Sequence, residues 1–264
     1  VLFSIYILIS FGLLGFLDDY KKIKNNNSSG ISFKTKLLTQ IILSIIGISI
    51  LTYYLDYQEL TYLYFPFFKD LFINLSWFFI PFSVFVIVGA SNAVNLTDGL
   101  DGLAILPCIL IASAFVIFAY VHGNINISEY LLIPYVEGSG EVAIFAASLV
   151  GAGLGFLWFN SYPAEIFMGD CGSLSLGSSL GLLAIILKQE LAFAIMSGIF
   201  IAEVLSVIIQ VASFKMRKGK RVFKMAPLHH HYELSGLSEP KIIMRFWIVT
   251  FILVLIALST LKIR

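Results

Sequence analysis

Eight stretches of this chain stay apolar for longer than a water-soluble fold tolerates: residues 1–17, 37–55, 76–91, 103–122, 141–158, 174–187, 191–213 and 245–261. A helix crosses the hydrocarbon core of a bilayer with about 20 mostly apolar residues. No water in that core can bond a bare peptide group, so a spanning segment satisfies its own backbone as a helix or closes into a barrel. Barrel strands alternate apolar and polar residues over about ten positions, whereas these runs are continuously apolar. The sequence therefore predicts an all-α, polytopic integral membrane protein, with eight transmembrane helices in a single domain over residues 1–264. Composition agrees: 59% of residues are hydrophobic and 12% charged, against about 45–50% and about 25% in soluble domains. That balance excludes an ordinary soluble enzyme, a disordered chain and a nucleic-acid binder with a basic surface.

Eight helices leave loops on alternating sides. The loops after the first, third, fifth and seventh runs (18–36, 92–102, 159–173 and 214–244) hold 12 of the 17 lysines and arginines, or 13 with Arg245. The other side holds four: Lys69, Lys188, Lys262 and Arg264. Positive loops stay in the cytoplasm, so the first set is expected there. No internal repeat is evident, which weighs against an inverted-repeat transporter. Cys108 and Cys171 make neither a disulfide framework nor a metal-ligand pattern. Val1 lies inside an apolar run with no initiator Met and no basic leader. That excludes a signal peptide and raises the expectation that the natural start is missing.

Almost every residue suited to chemistry falls in the first set of loops. GFLDDYKK places Asp18 and Asp19 at a helix end, where adjacent carboxylates repel unless a cation or a special role accommodates them. In SNAVNLTDGLDG, Asn92, Asn95, Asp98 and Asp101 recur every three residues; if the helix continues, neighbours share one wandering face. Four such groups without a lysine or arginine among them suit a cation or a polar ligand, because a helix cap needs only one. WFNSYPAEIFMGDCGS offers Asn160, Phe167 and Asp170, and its Gly-Asp-Cys-Gly-Ser turn opens the next helix, a natural place for an anion. The last and longest loop has a basic stretch at 215–224 and then His229, His230 and His231. Three successive helical side chains point about 100° apart, so they cannot all ligate one ion. A hydrogen-bonding or phosphate-facing role fits them better than a zinc site. The basic stretch alone is ordinary anchoring to anionic lipid.

Together these groups point to one chemistry. Carboxylates with a hard divalent cation commonly mean Mg²⁺ handling phosphates, where the ion offsets charge on a pyrophosphate and on the leaving group. The residues alone thus read as a Mg²⁺-dependent phosphoryl-type transfer from a soluble nucleotide donor to a membrane lipid.

DDYKK, NAVNLTDGLDG, FMGDCGSLSLG and MAPLHHHYE…EP…RFW, in this order, strongly resemble the phospho-N-acetylmuramoyl-pentapeptide transferase family, within the polyprenyl-phosphate N-acetylhexosamine-1-phosphate transferase superfamily. The resemblance covers the whole chain. It implies transfer of phospho-N-acetylmuramoyl-pentapeptide from its UDP donor to undecaprenyl phosphate, with lipid I and UMP as products and Mg²⁺ as cofactor. The site would lie on the cytoplasmic face of the bacterial inner membrane, and a homodimer is a possible assembly. It also implies roles: Asp18 as base for the lipid phosphate; Asp19 at the metal or the reacting phosphates; Asp170 as a Mg²⁺ ligand. Asn92, Asn95, Asp98 and Asp101 match the wall of the nucleotide pocket, and Asn160 a further pocket residue. Phe167 matches the aromatic that stacks on uracil, and Lys34 a basic residue near the phosphates. His229, His230 and His231 match the loop at the pyrophosphate and sugar.

One departure stands out. Family members carry ten spans, and this chain begins at what would be the third. The first two helices, with a lysine and a threonine used at the active site, are expected to be missing, and the isolated chain to be impaired. Two rivals remain open to test. A sister transferase using UDP-N-acetylglucosamine is disfavoured by the histidine loop. A secondary transporter would need ionisable groups deep in the bilayer, where Glu203 is the one clear acid; such an acid is commonly paired with a neighbouring helix.

Overall fold

A computed structural model describes residues 1–25, 30–54, 60–68, 71–217 and 219–263. The charged residues Asp56, Glu59, Lys69, Asp70, Lys218 and Arg264 lie outside the described residues. In chain order the elements are α1 (Leu2–Lys24), α2 (Phe33–Tyr54), β1 (Tyr62–Tyr64), β2 (Phe72–Asn74), α3 (Phe79–Thr97), α4 (Ile105–His122) and α5 (Ile125–Leu131). Then come α6 (Ser139–Asn160), α7 (Gly169–Ile186), α8 (Glu190–Met196), α9 (Gly198–Met216), α10 (Leu228–Glu233) and α11 (Glu239–Ile263). Eight of these helices are long and apolar enough to cross a membrane, in the order expected.

The bundle is organised around α7, which packs most extensively against α1 and α3, while α4 packs against α6. Composition explains the central position. α7 carries Ser173, Ser175, Gly177, Ser178, Ser179 and Gly181 on buried faces, and small residues let helix backbones approach closely where lipid supplies no hydrophobic drive between helices. A Cβ on Gly177 would lie 2.7 Å from the Ser91 Cα, so α3 rests directly on α7. Ser91 adds a hydroxyl bond to the Leu174 carbonyl at 3.0 Å. A Cβ on Gly15 would lie 2.6 Å from the Cys171 nitrogen, so α1 crosses the first turn of α7 with no room to spare. Phe11, Phe79, Phe115 and Phe118 fill the core. Outward-facing Phe85 and Trp158 stay exposed, as a lipid-contacting surface requires.

Four features differ from the sequence expectation. Several helices run past their apolar limits: α1 to Lys24, α3 to Thr97, and α7 starts at Gly169 rather than 174. The run 191–213 is not one helix. It breaks at Ser197, where ψ is 16° and the hydroxyl bonds back to the Phe193 carbonyl at 2.6 Å, a local competition with the helix ladder. The loop 56–75 contains a hairpin pairing Leu63 with Ile73. Finally, the short gap between the sixth and seventh apolar runs does not reach solvent: Lys188, Gln189 and Glu190 are buried. Lys188 donates to the Leu60 carbonyl and lies over the Phe79 ring, while Gln189 meets His122 Nε2 at 2.9 Å.

Candidate active site

The tight crossing of α1 over α7 decides where the acids go. Asp18 and Asp19 sit one turn beyond Gly15, and Asp170 opens α7 directly beneath them. One ligand oxygen from each of Asp18, Asp19 and Asp170 lies within 4.8 Å of the others. Lys22 follows Asp18 by four residues and Asp19 by three, so it shares their helix face. Its Nζ reaches Asp18 Oδ2 at 2.8 Å, Asp19 Oδ1 at 3.2 Å and Asp170 Oδ2 at 2.7 Å. Lys36 from α2 reaches Asp170 Oδ2 at 2.8 Å and Asp18 Oδ2 at 3.6 Å. Asn95 donates to Asp170 Oδ1 at 2.6 Å and to the Ser173 hydroxyl at 2.8 Å.

The two adjacent aspartates are not equivalent. The Asp18 side chain is 4% exposed against 29% for Asp19. Asp18 also accepts the Ile31 N–H, and Asp19 accepts the Cys171 N–H at 3.2 Å. The first-turn N–H group read from sequence as a place for an anion is therefore taken by a protein carboxylate. Three carboxylates against two ammonium groups leave one net negative charge in a pocket of hard oxygen donors. Such a set suits a hard divalent cation better than a thiophilic one.

The wall expected from 92–101 is partly built. α3 carries Asn92 and Asn95 in its last turns and ends at Asp98, its C-cap. Asn92 donates to Gln40 Oε1 at 2.8 Å, tying α3 to α2. Burial, and then the negative charges of Asp170 and Asp19, push the Asp98 carboxyl up to about 7, which places it within the field of the cluster. Asp101 and Asn160 also hydrogen-bond the neighbouring loops. Asp101 Oδ2 accepts the Ala164 N–H at 2.9 Å. Buried Asn160 accepts from Gly102 N at 3.1 Å and donates to the Ile166 carbonyl at 2.7 Å. Both side chains clasp the loops at this end of the bundle. Phe167 projects from the same loop and is 77% exposed.

The three histidines lie on the short α10. His229 is buried against Gly99, whose added Cβ would meet the His229 ring. His230 Nδ1 pairs with Glu233 Oε2 at 2.6 Å, and His231 Nδ1 accepts the Lys224 N–H at 3.2 Å. The neighbours Asp98 and Gly99 thus connect the acid cluster to the histidine loop.

The structure brings Asp18, Asp19, Asp170 and Asn95 together, with Asp98 at the end of α3 within their field and His229 against the next residue, Gly99. Lys34 is exposed on α2, and the cation that this helix brings to the acid cluster is Lys36. Lys22 escaped the sequence reading because a lysine after an apolar helix looks like a membrane anchor. Its spacing from both aspartates was the available signal.

Residues 1–188 match the family described as Glycosyl transferase family 4. The chain is 61% identical over 262 residues to the phospho-N-acetylmuramoyl-pentapeptide-transferase of Pelagibacter ubique (strain HTCC1062), covering 99% of this chain and 72% of that protein. It is 56% identical over 261 residues to the proteins of that name from Citrifermentans bemidjiense and Geobacter sp. (strain M21), again covering 99% of this chain and 72% of each.

Proposed function

The chain belongs to glycosyl transferase family 4 and, within it, to the phospho-N-acetylmuramoyl-pentapeptide transferases, and we propose that it joins phospho-N-acetylmuramoyl-pentapeptide from its UDP donor to undecaprenyl phosphate. A phosphate oxygen of the lipid attacks the sugar-bearing phosphorus of the donor. The bond from that phosphorus to the UMP oxygen breaks, and lipid I and UMP leave. The convergence of three carboxylates and two lysines at the polar ends of α1, α2 and α7 carries this reading, because it matches a pair of phosphates meeting in line. The chain is a multi-pass membrane protein. The single transferase domain over residues 1–264, the inner membrane, the cytoplasmic position of the site and a homodimer are parts of the proposal; the lysine and arginine asymmetry of the loops supports the orientation.

Asp18, Asp19 and Asp170 would hold Mg²⁺. Bound there, the ion supplies charge neutralisation at the pyrophosphate. The chain's own groups do the rest. Lys22 and Lys36 draw the phosphates toward the carboxylates. Asp19, the more open acid of the pair, receives the proton of the incoming lipid phosphate, while Asp18 fixes both lysines; this reverses the roles the resemblance implies. Asn95 orients Asp170. Asp98 and the exposed Phe167 ring face the nucleotide, whose base stacks on the ring. The histidines face the phospho-sugar.

The test is UMP release by the purified transferase with undecaprenyl phosphate, with and without EDTA. Release from UDP-N-acetylmuramoyl-pentapeptide that EDTA abolishes is expected. Release from UDP-N-acetylglucosamine in its place would move the chain to the sister activity.

A further inference from the structure

We propose that Glu203, a carboxylate inside the apolar α9, is the positioning residue for His229: it holds the ring in the tautomer that turns the Nε2 lone pair across Gly99 toward the substrate. This rests on the reading that His229 faces the reacting phospho-sugar.

Glu203 and His229 are 0% and 1% exposed. An unpaired carboxylate in such a place is very costly, and three N–H groups answer it. Leu228 N donates to Oε2 at 2.6 Å, while His229 N and His229 Nδ1 both approach Oε1 at 3.2 Å. The two backbone donors belong to the first turn of α10, where helix N–H groups lack intrahelical partners. The residue before them, Pro227, supplies no side-chain cap. Glu203 thus caps α10 from another helix and grips the ring in the same act.

The grip fixes the chemistry of the ring. An ionised carboxylate only accepts hydrogen bonds, so Nδ1 carries the proton, and the neutral ring then keeps its lone pair on Nε2. His229 Nε2 is buried and has no hydrogen-bond partner among the described residues. It is also the ring atom nearest an added Gly99 Cβ. Gly99 is exposed and follows Asp98. A buried acceptor aimed past an exposed glycine, next to the acid cluster, meets a hydroxyl or a protonated phosphate of the bound substrate. Glu203 touches neither; it acts through His229.

The test replaces Glu203 by Met in the full transferase, which keeps the length of the side chain and removes the acceptor from Nδ1. Glu203→Gln is the conservative variant, because its carbonyl oxygen can take the place of Oε1, which accepts from both His229 N and Nδ1. We expect kcat of E203M to fall about 100-fold or more with KM nearly unchanged, in line with losing a positioned proton acceptor, and E203Q to restore most of it. In protein labelled with ¹⁵N-histidine, which has four residues to resolve, the His229 signals of E203M should lose the pure Nδ1–H pattern. The E203M change in an H229A background should cost nothing further. Full kcat in E203M while H229A is impaired would overturn the proposal, as would E203M and H229A losses that multiply, which would mark Glu203 as a structural cap only. If H229A itself keeps full activity, the reading of His229 fails and takes the proposal with it, an outcome distinct from the other two.

Discussion

Replacing Gly15 by Ala should disable the site without touching any charged group. A Cβ at Gly15 would stand 2.6 Å from the Cys171 nitrogen, with the Asp170 backbone closer still, where ordinary contact begins at 3.4 Å. The atoms in the way are backbone, so no side chain can swing aside. α1 must lift from the first turn of α7 by about 1 Å. The Lys22–Asp170 contact of 2.7 Å would then stretch beyond hydrogen-bond range, and Asp18 and Asp19 would draw away from Asp170. A misplacement of about 1 Å at reacting groups costs on the order of 100-fold in rate. The overpacking itself costs about 1–3 kcal/mol, enough to lower the thermal midpoint while leaving the protein folded. UMP release and thermal unfolding in detergent, measured on the same sample, separate the two effects. A G15A protein with wild-type kcat would refute the claim that this crossing sets the geometry of the acids.

Three further outcomes follow from the same geometry. Lys36→Ala should reduce UMP release at least tenfold, whereas Lys34→Ala should leave it near wild type; equal effects would contradict the assignment. The Asp98 carboxyl sits near 7, above its ordinary 3.8, so the fold favours its neutral form, and stability should fall as pH rises from about 4 to 7 and level off above, by at most roughly 4 kcal/mol. Asp98→Asn should flatten that part of the thermal-midpoint profile, and added Mg²⁺ should flatten it partly by offsetting Asp19 and Asp170; an unchanged slope in the variant would assign it to another group. Phe167→Ala should raise the KM for the UDP donor several-fold and leave that for undecaprenyl phosphate alone, and the two KM values decide it.

Hydropathy located the eight spans because lipid forces continuous apolarity on any helix inside it. It failed at the ends for a physical reason. The ends at 18–24, 92–97 and 169–173 stay helical because Asp18, Asp19, Lys22, Asn95, Asp170 and Ser173 turn toward one another across α1, α3 and α7, while Lys21 and Lys24 stay exposed. Asp18, Asp19 and Asp170 were legible as acids placed at helix ends. Lys36 was not: neighbours two apart on a helix face nearly opposite ways, and only the packing of α2 shows that Lys36 faces inward and Lys34 outward. The loop hydrogen bonds of Asn160 and Asp101 were not legible, because short polar side chains serve loops and substrates equally well and the sequence does not say which. The partnership of Glu203 with His229 spans 26 residues, and no local pattern reveals it. Buried Lys188 and the hairpin at the far end depend in the same way on tertiary packing.

The most direct test of the central claim combines metal binding and turnover in one preparation. Mn²⁺ bound to the purified transferase would be counted by electron paramagnetic resonance, alongside UMP release, for the native protein and for Asp170→Asn. One tightly bound ion per chain, lost together with UMP release in the variant, is the expected result. Mn²⁺ binding and turnover that both survive Asp170→Asn would contradict the account, because the acid cluster would then be neither the metal site nor the centre of the reaction.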